Sequence, residues 1–154
     1  MMERLPKTDQ NILVVDDSQI MRLFMKKILS QSFEVQTVDS AVSALESLYT
    51  MEEPSLVISD INLPEMNGFD LLKKIKTDNS LCKVPVMIVS GEKDSSSRIK
   101  CLELGAVDYV LKPFNPRELY LRVCHHLNIN LKRSSQSDDQ EINSLNINRF
   151  TSYE

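Results

Sequence analysis

The chain has 154 residues, 42% of them apolar and 26% charged, with a net charge of −4. That size and balance suit one globular domain plus a tail, and the acidic excess removes the basic face that direct nucleic-acid binding requires. The N-terminal MMERLPKTDQ lacks the apolar core of a signal peptide, and no apolar run nears the ~20 residues of a membrane span, so a cytoplasmic protein with no membrane partner is expected.

Residues 1–9 read as a flexible lead-in. The run Ile12-Leu13-Val14-Val15 reads as a strand, and it ends on two adjacent carboxylates, Asp16 and Asp17. Met21, Phe24, Met25, Ile28 and Leu29 then step by three and four, which predicts a helix. A second strand falls over EVQTV, 34–38. Ser40 is placed to cap a helix carrying Ala41, Leu45 and Leu48. The third strand is LVIS, 56–59, and it ends on Asp60, with a helix carrying Leu71, Leu72 and Ile75 after it. The fourth, VPVMIV over 84–89, ends on Ser90. A stripe of Ile99, Leu102 and Leu104 follows and is closed by Gly105. The fifth, VDYVL over 107–111, ends on Lys112. Its helix has Pro116 in the first turn and Leu119, Val123 and Leu127 on one face. From about residue 131 the chain is rich in Ser, Asn and mixed charge without a period, so 131–154 read as a polar tail or linker.

Strand and helix alternate five times. This predicts an α/β fold, a doubly wound five-stranded parallel sheet with helices on both faces, over residues 10–130. The first, third and fourth strands are continuously apolar, as strands buried on both faces are. In such sheets the functional crevice lies beyond the carboxyl ends of the strands. Asp16, Asp17, Asp60, Ser90 and Lys112 all end strands, so all should open onto one rim.

Charge counting indicates what that rim needs. Like charges about 4 Å apart repel by ~4 kcal/mol at an effective dielectric near 20. Three carboxylates and one ammonium sum to −2, which a divalent cation cancels. The candidate ligands are all oxygens, so a hard ion is indicated, and Mg2+ keeps open positions that suit phosphate oxygens. The bland alternatives are a helix-start acidic pair for Asp16 and Asp17, a turn residue for Asp60, a loop start for Ser90 and a solvated Lys112. The four together outweigh them. Tyr109 has ordinary aromatic packing as a serious alternative, and Asn67-Gly68 reads as a turn leading into a helix. His125 and His126 point about 100° apart on a helix and cannot share a metal well. Three scattered cysteines with no C-x-x-C read as reduced thiols.

The constellation resembles the receiver domain of two-component response regulators. The motifs are Val14-Val15-Asp16-Asp17-Ser18, the run from Ser59-Asp60 through Pro64 to Asn67-Gly68, Val89-Ser90-Gly91 and Lys112-Pro113-Phe114. They stand in the family's order and spacing. Leu63 replaces a frequent Met and Ser90 a common Thr; the tail has no counterpart. The resemblance implies that Asp60 is the phosphoacceptor, becoming an aspartyl phosphate. Asp17, Asp60 and the backbone carbonyl of Asn62 would bind Mg2+, with Asp16 acting through a metal-bound water. Lys112 and the Ser90 hydroxyl would hold phosphoryl oxygens, and Gly91 would leave room for them. Ser90 and Tyr109 would be the switch, with Tyr109 turning inward to alter the surface of the fourth helix, fifth strand and fifth helix. Asn62 and Glu92 would tune hydrolysis of the phosphoryl group. The Lys112-Pro113 bond is cis in the family.

The implied partners are a histidine kinase or histidine phosphotransfer protein upstream. Downstream they are a protein target or a lost C-terminal effector domain; phosphorylation-dependent homodimerisation is left open. The chain would be no enzyme beyond its own phosphorylation and dephosphorylation. Three other readings compete. An aspartate-nucleophile phosphatase wants an acid two residues after Asp60, where Asn62 stands. A flavin carrier wants a hydroxyl- and glycine-rich loop where Asp16 and Asp17 stand. A degenerate docking domain sits poorly with a complete acidic set.

Overall fold

A computed structural model describes residues 5–131. One five-stranded parallel sheet contains β1 (Asn11–Val15), β2 (Glu34–Val38), β3 (Leu56–Ser59), β4 (Val86–Ser90) and β5 (Asp108–Leu111). Between them run α1 (Gln19–Leu29), α2 (Ala41–Thr50), α3 (Gly68–Thr77) and α4 (Ser95–Glu103), and α5 (Pro116–His126) follows β5. The α/β alternation predicted from the sequence is the fold. The part of the predicted tail from residue 132 onward lies outside the described residues. The chain divides after Lys112, with the sheet and α1–α4 in one compact unit and the segment carrying α5 in the other.

Strand order is β2-β1-β3-β4-β5. The chain builds outward from β1 in one direction to β2, then crosses back to continue on the other side with β3. The two directions of winding part between β1 and β3, and in an open parallel sheet that is where a crevice opens at the carboxyl ends. The register sets Val15 beside Ser59, so Asp16 and Asp60, each one residue further on, emerge side by side.

Alternation along the strands sorts the core. Leu13, Val15, Val57, Val86 and Ile88 face Ala41, Ala44 and Leu48 of α2, Leu71, Leu72 and Ile75 of α3 and Cys101 of α4 in one apolar cluster. The intervening Ile12, Val14, Ile58, Met87 and Val89 are equally buried on the opposite face, and α1 buries Met25, Ile28 and Leu29 and lies against β1 and β2. In the second unit, α5 buries Leu119, Tyr120, Val123 and Cys124. Its N-cap Asn115 accepts from the Arg117 and Glu118 amides, with Pro116 in the first turn.

Two sequence expectations shift. β4 pairs from Val86 rather than residue 84, because Pro85 has no N–H to give a ladder and contributes only its carbonyl, to Val57. The α4 stripe is also rotated: Ile99 and Leu102 are about half exposed, while Cys101 is fully buried and Leu104 packs on the core. The small thiol lets α4 approach the sheet on the 101/104 edge, a preference that counting larger apolar residues does not reveal. Cys82 is exposed, and all three thiols are free. Among the described residues no helix is long and apolar enough to cross a membrane.

The turn between α3 and β4 is organised by one carboxylate. Asp78 accepts from the Ser80 hydroxyl at 2.6 Å and amide at 2.8 Å, from the Leu81 amide at 3.2 Å, and from the Tyr49 hydroxyl at 2.5 Å. The Ser80 and Tyr49 hydrogen bonds hold its carboxyl down to about 2, from an ordinary 3.8. A carboxylate whose folded pKa is depressed stabilises the fold above the unfolded value and loses that contribution as pH falls through the folded one. Asp78→Asn should therefore be less stable than wild type at neutral pH, with the gap closing as pH falls from 3.8 toward about 2. Denaturant melts across that range check it; a gap that stays constant with pH would show that the charge is immaterial.

Candidate functional site

The β1 end is fixed at every polar group of Asp16, which is 2% exposed. Its amide donates to the Val38 carbonyl at 3.1 Å. Its carbonyl accepts from Arg22 Nη1 at 2.8 Å. Oδ1 accepts from the Ser18 amide at 2.9 Å, and Oδ2 from Lys112 Nζ at 2.7 Å. Ser18 in turn caps α1 through the Met21 amide. The strand thus hands over to the helix within three residues, leaving Asp17 exposed at the mouth.

Asp60 is 7% exposed at the end of β3. Its amide donates to the Val15 carbonyl at 3.0 Å, Oδ1 accepts from the Asn62 amide at 3.2 Å, and Oδ2 accepts from Lys112 Nζ at 2.9 Å. The loop beyond folds tightly back. The Gly68 amide donates to the Ile61 carbonyl at 2.7 Å, and a Cβ at Gly68 would stand 2.1 Å from the Asp60 carbonyl oxygen. Glu65 takes a positive φ of 65° inside this loop, a conformation that costs a non-glycine residue about 1 kcal/mol or more.

Lys112 is where distant segments meet: a single ammonium bridges Asp16 and Asp60, and its own amide donates to the Ser90 carbonyl at 2.9 Å. Burial alone would depress its pKa, but the hydrogen bonds it donates to Asp16 and Asp60, together with their charges, outweigh burial and raise it. Burial pushes Asp16 up, with the Lys112 hydrogen bond pulling the other way. Geometrically, one side-chain nitrogen is shared by two acidic side chains. Carboxylate oxygens of Asp16, Asp17 and Asp60 all lie within 4.8 Å of one another. One lysine against three such groups leaves −2 unbalanced, and every donor is a hard oxygen. The residues present therefore fit a hard divalent cation such as Mg2+.

The remaining expected residues form a second group beside the first. Asn62 Nδ2 donates to Glu92 Oε1 at 3.3 Å. Ser90 is fully buried, and its Oγ accepts from the Glu92 amide at 3.2 Å. The half-buried Tyr109 donates its hydroxyl to the Glu92 carbonyl at 2.7 Å, and burial raises its pKa. Glu92 is thus the hub that Asn62, Ser90 and Tyr109 share. Gly91 faces open space, with no atom within 4 Å of where a Cβ would stand. Arg22 was missed by sequence reading. Its position one turn into α1, six residues after Asp16, was the available signal.

A doubly wound α/β domain with an acidic pocket at its switch point is the class that these features define. The chain belongs to the response regulator receiver domain family, whose model matches residues 12–124. Two-component response regulator ORR3 of Oryza sativa subsp. indica is 37% identical over 124 residues, 80% of this chain and 94% of the relative. ORR5 of Oryza sativa subsp. japonica is 43% identical over 115 residues, covering 74% and 85% respectively. Among solved structures, the BeF3-activated DrrB receiver domain superposes with a TM-score of 0.71 at 30% identity, over 79% of this chain and 99% of its own. A CheY-like response regulator receiver domain protein from Methanospirillum hungatei JF-1 does so at 0.72 and 29% identity, covering 79% and 95%.

Proposed function

We propose that this receiver domain accepts a phosphoryl group on Asp60 from a histidine kinase or histidine phosphotransfer protein, in the cytoplasm, and that Mg2+ is its cofactor. The carrying observation is the shared ammonium: Lys112 lies within 2.9 Å of both Asp16 and Asp60, with Asp17 closing the carboxylate set. Asp60 Oδ attacks phosphorus, a P–O bond forms and the donor's P–N bond breaks; the electron pair leaves on the imidazole nitrogen, which takes a proton. Lys112 then exchanges a carboxylate oxygen for a phosphoryl oxygen, and the Ser90 hydroxyl donates to another. Asp17, Asp60 and the Asn62 carbonyl would hold Mg2+, with Asp16 supporting it from behind, and the ion would supply charge neutralisation at the phosphoryl oxygens.

The test is intact-mass measurement after incubation with a small phosphodonor, with Mg2+ and with a chelator. One phosphoryl group per chain should be gained with Mg2+ and none without it. Repeated turnover of an external phosphate ester would instead favour the phosphatase reading.

In the same proposal, Tyr109 is the output ring. Its hydroxyl donates to the Glu92 carbonyl, which ties the ring to the loop after Ser90 and supports a role in which phosphorylation shifts the population of ring positions. The surface it alters is that of α4 and β5, with α5 following in sequence, and the readers of that surface are a protein target, an effector domain or a second copy. Asn62 and Glu92, bonded to each other, control water at the phosphoryl group. Asn62→Ala and Glu92→Ala should each change the lifetime of the phosphorylated form severalfold. Decay of the isolated phosphoprotein measures this, and identical lifetimes in all three proteins would remove the role.

A further inference from the structure

We infer that Arg22 is a positioning residue that aims Asp17 at the cation; this rests on the reading of the acidic pocket as a Mg2+ site. Asp16 and Asp17 are neighbours in sequence but are held differently. The Asp16 carboxylate is pinned on both oxygens, by Ser18 and Lys112. Among the described residues, no hydrogen bond reaches the exposed carboxylate of Asp17, so what fixes its direction comes from its own backbone. That backbone is the Asp16–Asp17 peptide, whose carbonyl accepts from Arg22 Nη1 at 2.8 Å. A peptide is planar. Fixing the carbonyl oxygen therefore fixes the plane from which the Asp17 Cα–Cβ bond projects.

The holding group is itself well anchored. Arg22 is half-buried, its amide donates to the Ser18 carbonyl at 3.0 Å as part of the α1 ladder, and the same Ser18 caps the helix. The guanidinium is a rigid planar donor. Helix α1 thereby grips the strand end it has just left, closing a ring from Asp16 through Ser18 to Arg22 and back. Outer groups that orient a metal ligand commonly change metal affinity about 10–100-fold when removed. An opposing effect has the opposite sign: a cation near the pocket repels Mg2+, so if charge alone mattered, neutralising Arg22 would tighten binding.

The experiment is calorimetric titration of Mg2+ into the full chain, as wild type, Arg22→Met and Arg22→Lys, with unfolding melts in chelator alongside. Arg22→Met should weaken Mg2+ binding about tenfold, and Arg22→Lys, which keeps a long donor able to reach the carbonyl, should recover most of it. Arg22→Gln, too short to reach, replaces the Met variant should that one fail to fold. Binding by the Met or Gln variant equal to or tighter than wild type overturns the inference and leaves the site itself standing. Absence of Mg2+ binding by wild type overturns both. A merely structural arginine would lower the melts of the variants without moving the affinity of the folded protein.

Discussion

Asp60→Asn should abolish phosphoryl gain altogether and yet leave a folded protein that, without Mg2+, is more stable than wild type. The first half follows from chemistry, since an amide offers no nucleophilic oxygen with a full negative charge. The second follows from counting. Asp60 attracts one ammonium, Lys112 at 2.9 Å, and is repelled by two carboxylates, those of Asp16 and Asp17, all within 4.8 Å. The substitution removes one attraction and two repulsions, while Lys112 keeps its bond to Asp16 at 2.7 Å. At an effective dielectric near 20 the attraction at 2.9 Å is worth ~6 kcal/mol and the two repulsions at up to 4.8 Å together ~7 kcal/mol, and the Asn amide oxygen can still accept from Lys112, so a rise of about 1 kcal/mol is expected. Adding Mg2+ should reverse the order, because the ion stabilises the protein that binds it more tightly. Denaturant melts with chelator and with Mg2+, beside intact-mass measurement with a phosphodonor, give both answers. Phosphoryl gain by the variant would move the acceptor elsewhere; lower stability without Mg2+ would mean that the carboxylates are not in conflict.

Gly68→Ala should cost at least about 3 kcal/mol, and about 10 °C or more in Tm, a large effect for one methyl group. The added Cβ would sit 2.1 Å from the Asp60 carbonyl oxygen, 2.7 Å from Ile61 Cα and 2.9 Å from the Asp60 carbonyl carbon. All three are backbone atoms, so no side-chain rotation relieves the clash. Either the start of α3 or the end of β3 must move, and the second carries the Asp60 carboxylate away from Lys112. Loss of phosphoryl gain should therefore accompany loss of stability. Gly91→Ala is the matched control, because its Cβ meets nothing within 4 Å; its stability should stay within ~0.5 kcal/mol of wild type. Equal melts for the two variants would dispose of the close-approach account.

The sequence by itself determined the sheet and the identity of the strand-end residues. Burial on both faces demands continuous apolar runs, so β1, β3 and β4 are written in adjacent letters, and Ser40 and Pro116 mark helix starts by local chemistry that needs no partner. The polar residue ending each strand is equally local. Tertiary structure decided the rest, because it depends on contacts between segments far apart in the chain. That Lys112 serves Asp16 and Asp60 at once depends on the order β2-β1-β3-β4-β5. That α4 presents Cys101 inward and leaves Ile99 half-exposed depends on the space over the sheet. Gly68 reads as an ordinary turn glycine until the Asp60 carbonyl is found against it, and nothing marks Arg22 out until its guanidinium is found on the Asp16 carbonyl. A sequence specifies which groups a residue can bond, and the fold alone brings one of them within reach.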